Sequence, residues 1–388
     1  MNEVACHLIE NVIPQVQVRQ WVISFPFNIR YLLAYNPALV TETLTIFIRI
    51  VSNWYEKRAR KLGHSGKTAA VTFVQKFGDG LRSNTHFHSL FIDGVFDVSV
   101  DPPVFYPVPH PTDEEVGCLV KRVRDRVLRA FKTRGLLEGA MVDEHEPELF
   151  QRLTGNSIQQ RITLGERAGL KVRRIGAIKG LDNVFRIANR CATIDGFSLH
   201  ADTKIKADER DRLEKLLRYT ARPAIALERL SETEDGKILY RLKKYFSDGT
   251  SHFLFDPLEF VEKVMAIIPP ARANLLRYHL LYAPHSKYRA KIVPQKKEKS
   301  PNEVPEHRRK TWAQLLSHSF AVDVLKCDQC AGKMEPIAII VDPAIIKRIL
   351  NHLGLPSEAP FRSLPRAPPQ GMLVDQEYSQ CVGFTEAW

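Results

Sequence analysis

The chain has 388 residues, 44% hydrophobic and 26% charged, with 56 Lys and Arg against 44 Asp and Glu and a formal net charge of +12. That composition excludes a wholly disordered chain, and the length suits two or three domains of ~100–200 residues. Six cysteines do not make a disulfide scaffold, and no run reaches the ~20 apolar residues of a membrane span.

The first residues include Glu3 and Glu10 and hold no unbroken apolar stretch, so they do not read as a signal peptide, and a reducing cytoplasm is expected. The cationic excess favours a polyanionic partner, nucleic acid first. Val18 to Phe27 (VRQWVISFPF) predicts a strand ended near Pro26. A long helix is expected from about Tyr31 to Leu62, closed by Lys57, Arg58, Arg60 and Lys61, cations that suit a helix C-terminus. AAVTFVQKFG and HFHSLFIDGVF, joined by the turn-rich GDGLRSNT, predict a hairpin. A helix follows from about Glu114 to Arg134, then a less regular stretch with the basic segments QQR and KVRRIGAIKG (Lys171 to Gly180). CATIDGFSLHADTKI predicts one further strand, and DERDRLEKLLRYTAR a helix with Asp208 as its N-cap. ILYRLKKYF, SDGT and SHFLFD predict a second hairpin, and PLEFVEKVMAIIP a short amphipathic helix.

Two constellations carry chemistry. The first is His86-Phe87-His88. On a strand, residues i and i+2 share a face, so both imidazoles project together while Phe87 faces the packed side. Gln75 sits on the preceding run and approaches the pair if the two runs form a hairpin; His200 in FSLHA competes as a third ligand. A mixed nitrogen and oxygen set with open positions suits Mg²⁺ or Mn²⁺ engaged with phosphate oxygens. Two solvent-facing histidines on a half-buried strand are the plainer reading.

The second is Tyr219. Leu213, Leu216 and Leu217 form the apolar stripe of its helix, while Arg212, Lys215 and Arg222 share the tyrosine's face at offsets of seven, four and three residues. Nearby positive charge favours the phenolate, the nucleophilic form, and holds a phosphate close by. An ordinary tyrosine on a basic helix is the alternative. Arg218 adds to the charge of the same helix, and Arg277 to Pro294 interleaves Tyr278, Tyr282 and Tyr288 with Arg277, Lys287, Arg289 and Lys291. Rings beside cations are what single-stranded DNA requires, and Tyr282, Lys287, Tyr288 and Arg289 are expected DNA contacts.

With these residues the chain resembles a rolling-circle transposase of the HUH superfamily, within it the bacterial insertion-sequence and common-region elements of the IS ninety-one type. The resemblance is carried by VRQWVISFPFNIRYLLAYNP, VTFVQKFGDGLRSNTHFHSLFIDGVF, DRLEKLLRYTARPAIALERLS, the long run from DGTSHFLF to YRAKIVP, and WAQLLSHSFAVDVLKCDQC. It implies an α+β fold: a ferredoxin-like HUH nuclease core with a central antiparallel sheet, helical insertions and a small C-terminal α/β module. It implies that His86 and His88 hold the metal and that Tyr219 is the nucleophile, forming a 5′-phosphotyrosine link at single-stranded or hairpin element ends. Lys215 stands where two-tyrosine members carry a second nucleophile, so coupled transfers need a second protomer, as in a homodimer on DNA, or sequential use of Tyr219. Family members usually begin with a cysteine-rich zinc module, so residues 1–17 are expected to be a helical remnant of it.

The remaining divisions follow. The core runs over 18–235 with an insertion at about 101–190, and a hairpin and helix extension over 236–294. A basic linker spans 295–310, a small module 311–356 and a poorly ordered tail 357–388. The module is expected to hold helices at 311–325 and 343–353 and a strand near 336–341. Cys327-Asp-Gln-Cys330 is half of a zinc knuckle, for which His318 or Cys381 would have to supply more ligands; two reduced thiols in a turn are the alternative. The competing functions are a replication initiator or relaxase with the same chemistry, and a non-catalytic DNA-binding remnant. A bacterial, nucleoid-associated location goes with the leading reading.

Overall fold

A computed structural model describes residues 2–137, 149–176, 189–269 except 244 and 247, and 273–294. Beyond these it describes 313, 323–327, 330, 332–335, 340, 342–354 and 357. Its centre is an antiparallel sheet. β1 (Val18–Ser24) lies between β3 (Ser83–Ile92) and β8 (Phe197–His200), with β2 (Ala69–Phe77) outside β3. β13 (Leu276–Leu280) closes one edge and β7 (Cys191–Ile194) the other, while β9 (Lys204–Ile205) pairs with the start of β1. A hairpin of β4 (Gly94–Asp97) and β5 (Val104–Pro107) extends the chain from β3. The architecture is α+β with antiparallel sheets.

Every second residue of the central strands faces one of two cores. Trp21, Ile23, Val74, Phe87 and Phe91 meet α2 (Phe27–Tyr35), α3 (Pro37–Lys61) and α4 (Asp113–Thr133). Val18, Val71, Phe73, Leu90 and Ile92 meet α1 (Asn2–Asn11) and α6 (Arg210–Thr220) on the other face. α4 starts from a capping box between Thr112 and Glu115 and buries Val116, Leu119, Val123, Val127 and Phe131. The helix that the sequence places over 31–62 is two helices. Asn36 leaves helical geometry and its side chain caps Ala38 and Leu39, and Pro37 takes the first position of α3. CATIDGFSLHADTKI is likewise a hairpin plus a short strand. Asp195 and Gly196 both have positive φ (48° and 75°) and turn β7 back onto β8.

A second sheet pairs β10 (Leu230–Glu232), β11 (Ile238–Arg241), β12 (His252–Phe255) and β6 (Arg173–Ile175). The expected hairpin at 236–255 is present as β11 and β12. α7 (Pro257–Ile267) packs against β12 of this sheet and against α5 (Leu149–Ile158), which itself touches α2 and β3. Gly80, in the turn between β2 and β3, joins the two sheets: its φ is +70°, and a Cβ there would lie 2.1 Å from the Phe253 ring. α8 (Arg289–Ile292) follows β13, and α9 (Pro343–His352) is the helix expected at 343–353. The basic linker, most of the helix expected at 311–325, most of the strand near 336–341 and nearly all of the tail lie outside the described residues.

One buried polar network pins β1 to the end of β3. Arg19 donates from Nε and Nη2 to Asp93, both at 2.9 Å, and from Nη1 to the Ala201 carbonyl at 2.8 Å. Tyr55 donates to Asp93 at 3.0 Å and accepts from Trp21 at 3.1 Å. A charge this deep is tolerated because each oxygen has a partner.

Candidate active site

The hairpin puts the histidine pair where alternation requires. β2 and β3 pair in the register Gln75↔His86 and Phe73↔His88, so these four side chains share one face, and Phe87 is buried in the opposite core. The two imidazole centroids are 4.8 Å apart. His86 Nδ1 lies 2.8 Å from the Asn84 carbonyl oxygen, which can only accept. Nδ1 therefore carries the proton and Nε2 presents its lone pair, the arrangement of a metal-ligating histidine. His88 Nδ1 lies 2.9 Å from the side-chain amide of Gln20, a buried residue of β1.

Burial pushes His86 down to about 4, against the pull of its Asn84 bond, and Arg222, Arg82 and Arg30 lower it further. Burial, then His86, Arg222 and His200, push His88 well below the ordinary range. Both rings are neutral at pH 7. His200 pairs with Val22, which pairs on its other side with His88, so it lies in the same row but two strands away. Gln75 sits directly beside His86. Of the two candidate third ligands, the register thus sets Gln75 next to the pair and His200 farther along the sheet. Among the described residues no group of three or more His, Cys, Asp or Glu gathers to hold a metal.

Gln75 also fixes the tyrosine helix. Its Nε2 donates to the carbonyl of Thr220 at 2.7 Å, satisfying an end-of-helix acceptor of α6. α6 buries Leu213, Leu216 and Leu217 as its stripe requires. Its N-cap is Glu209 rather than Asp208, without a side-chain cap; Glu209 instead accepts from Arg212 at 3.2 Å. Tyr219, beside Thr220, carries two cations on its ring: Arg222 at 4.4 Å and Lys243 at 4.7 Å from the centroid. Of the cations expected around the tyrosine, Arg222 is at its ring. Arg212 is paired with Glu209, Arg218 with Glu214 at 3.9 Å, and Lys215 is exposed.

Sequence reasoning missed Gln20, Arg30, Arg82 and Lys243. Gln20 is two residues from Val22 on an alternating strand, which places it on the histidine face once β1 is known to neighbour β3. The others come from separate elements and leave no local pattern. Burial and Arg82 push Arg30 down to about 9, and burial, with Arg174, pushes Arg82 down to about 10 against the pull of Asp79. Cations that both act on His86 favour an anion beside it.

The 277–294 stretch divides. Tyr282 is 1% exposed inside the α1–α6 core, so it offers no ring to a base; the correction follows from β13, whose end turns the chain inward. Lys287 lies 4.8 Å from the Tyr288 ring centroid, and Arg289 lies 5.4 Å from that of Tyr278 and donates to the Tyr282 carbonyl. The Cys327 backbone N–H donates to the Gly332 carbonyl at 2.9 Å. His318 and Cys381 lie outside the described residues, as do residues 177–180 of the basic KVRRIGAIKG segment.

The depressed histidines make stability pH-dependent in the metal-free protein. His200, like His86, is pushed down to about 4 from an ordinary 6.5, chiefly by burial. Above pH 6.5 neither native nor unfolded chain binds these protons; between 6.5 and 4 the unfolded chain does and the native one does not. Stability should therefore fall as the pH drops through that window. Urea unfolding of the wild type should lose more stability over it than His200→Asn does; equal losses would show that His200 carries no depressed value.

Residues 69–290, more than half of the chain, match the family model Y2_Tnp, described as "Putative transposase". The matched stretch includes β2, β3 and α6, and with them Gln75, His86, His88 and Tyr219. No curated protein and no solved structure matches the chain. Among the described residues no helix is long and apolar enough to cross a membrane.

Proposed function

The chain belongs to the Y2_Tnp transposase family, and from that premise we propose that it nicks and rejoins single-stranded DNA at element ends through a covalent bond to Tyr219. The observation that carries the reading is the Gln75 bridge. One side chain lies beside His86 in the sheet and holds the end of the Tyr219 helix, so the histidine pair and the tyrosine belong to one face. An antiparallel sheet with a histidine pair on an inner strand and a tyrosine helix across it supports an HUH-type, ferredoxin-like core.

Tyr219 attacks the scissile phosphorus, the bond to the 3′ oxygen breaks, and a 5′-phosphate remains on the tyrosine. The phenolic proton is lost before attack and the departing oxygen takes one up. Arg222 and Lys243 against the ring place positive charge beside the attacking group. Arg30 and Arg82, beside His86, fit the phosphate oxygens. A Mg²⁺ or Mn²⁺ ion held by His86, His88 and Gln75 would supply Lewis-acid polarisation of the phosphate. The reverse attack by a 3′-hydroxyl rejoins the strand without ATP, because the phosphodiester energy stays in the tyrosyl bond. With Lys215 at the position of a second tyrosine, coupled transfers use Tyr219 twice or Tyr219 from two copies.

Incubation with single-stranded element ends and Mn²⁺ tests the reading. Nicked strands and a protein–DNA adduct stable to denaturant are expected, both lost in His86→Ala and His88→Ala with DNA binding retained. Intact DNA with a normal mobility shift would leave a DNA-binding protein without this chemistry.

A further inference from the structure

The net charge of +12 has a second concentration, on α4. From Val116 to Arg134 the sequence holds seven Lys and Arg against one acid, Asp125. Arg124 pairs with Asp125 and with Asp195, and Arg134 pairs with Glu42. Lys121, Arg122, Arg126 and Arg129 are exposed and have no acidic partner among the described residues. Arg122, Arg126 and Arg129 fall at i, i+4 and i+7, so they form one row on the helix. The row is about 10 Å long at ~1.5 Å per residue.

We propose that this face of α4 is a second DNA-binding surface, a track for the phosphate backbone of duplex DNA on the side of the sheet opposite Tyr219. The side is fixed by packing. α4 buries its apolar stripe in the core that contains Phe87, whereas His86, His88 and α6 belong to the other face. A membrane surface is a poor partner, because the apolar side an interfacial helix would insert is already used in the core. Single-stranded DNA fits poorly as well. It needs aromatic platforms, and the one aromatic residue of α4, Phe131, is buried. A rigid row of guanidinium groups without rings is suited to phosphates in regular array. The inference rests on the preceding reading only in assigning the single strand to the Tyr219 face. One molecule would then hold flanking duplex and reacting strand on opposite sides of the sheet.

The test neutralises the row in the full chain with Lys121→Gln, Arg122→Gln, Arg126→Gln and Arg129→Gln together. These side chains are exposed, and an unchanged melting midpoint will show that the fold persists. Anisotropy of a labelled duplex of random sequence is measured against KCl concentration. The slope of log affinity on log salt should become less negative by about 3 to 4, roughly one per lost phosphate contact. Affinity near 0.1 M salt should fall at least about tenfold. Affinity for a single-stranded oligonucleotide and its cleavage should be unaltered. An unchanged duplex slope overturns the surface, and an equal loss on single strands overturns its assignment to duplex. A shallower duplex slope in a protein that never cleaves DNA supports the surface while sinking the Tyr219 reading.

Discussion

Tyr219→Phe should lower cleavage of single-stranded DNA by about 10⁴-fold or more, the scale on which loss of a covalent nucleophile is felt. Binding of the same strand should change by no more than a few-fold. The substitution removes one oxygen and keeps the ring, so the cations of Arg222 and Lys243 still have a face to rest on. Leu213, Leu216 and Leu217 still hold α6 in place, and Gln75 bonds the Thr220 backbone rather than the tyrosine. Lys243→Gln and Arg222→Gln leave the nucleophile but not its electrostatic support and should cost roughly 10²–10³-fold, as removal of one stabilising donor does. Cleavage by Tyr219→Phe within tenfold of the wild type would move the nucleophile elsewhere.

The second large effect concerns folding. Asp93→Ala should destabilise the protein by about 3–5 kcal/mol, because it leaves the Arg19 guanidinium buried without its counter-charge. Asp93 holds Arg19 through two bonds and Tyr55 through a third, and both Arg19 and Asp93 are inaccessible to solvent. Removing both charges at once, as Arg19→Met with Asp93→Ala, should cost less than the sum of the single changes by about 2 kcal/mol or more. Denaturant titration of the four proteins gives the coupling. A single-variant loss below about 1 kcal/mol would mean that the pair is hydrated in solution.

How far the sequence reveals this site depends on which contacts are local. Period-two alternation is a short-range property, so His86, Phe87 and His88 could be assigned to opposite faces from the sequence alone, and β3 obeys. The hairpin pairing that sets Gln75 beside His86 needs only a short connection and was equally legible. Asn36-Pro37 and Asp195-Gly196 carried clear breaker and turn signals, yet the longer apolar runs around them suggested one helix and one strand. The charges around Tyr219 were legible only as composition. Helical spacing brought Arg222 to the ring, but it could not show that Glu209 and Glu214 engage Arg212 and Arg218. Nor could it show that Lys243 arrives from the connection that follows β11. Tyr282 failed for the opposite reason. An aromatic residue among cations reads as a stacking platform until the fold buries it. The Arg19–Asp93 pair, 74 residues apart, has no sequence signal at all.

The most direct test is to map the bond itself. The wild-type protein is incubated with a single-stranded element end and Mn²⁺, the adduct is isolated under denaturing conditions, and nuclease and protease digestion is followed by mass spectrometry. The peptide containing Tyr219 should carry the added mass of a 5′-linked nucleotide, and no other tyrosine peptide should. A nucleotide on a different residue, or cleaved DNA with no adduct on any peptide, would contradict the assignment of Tyr219 as the nucleophile.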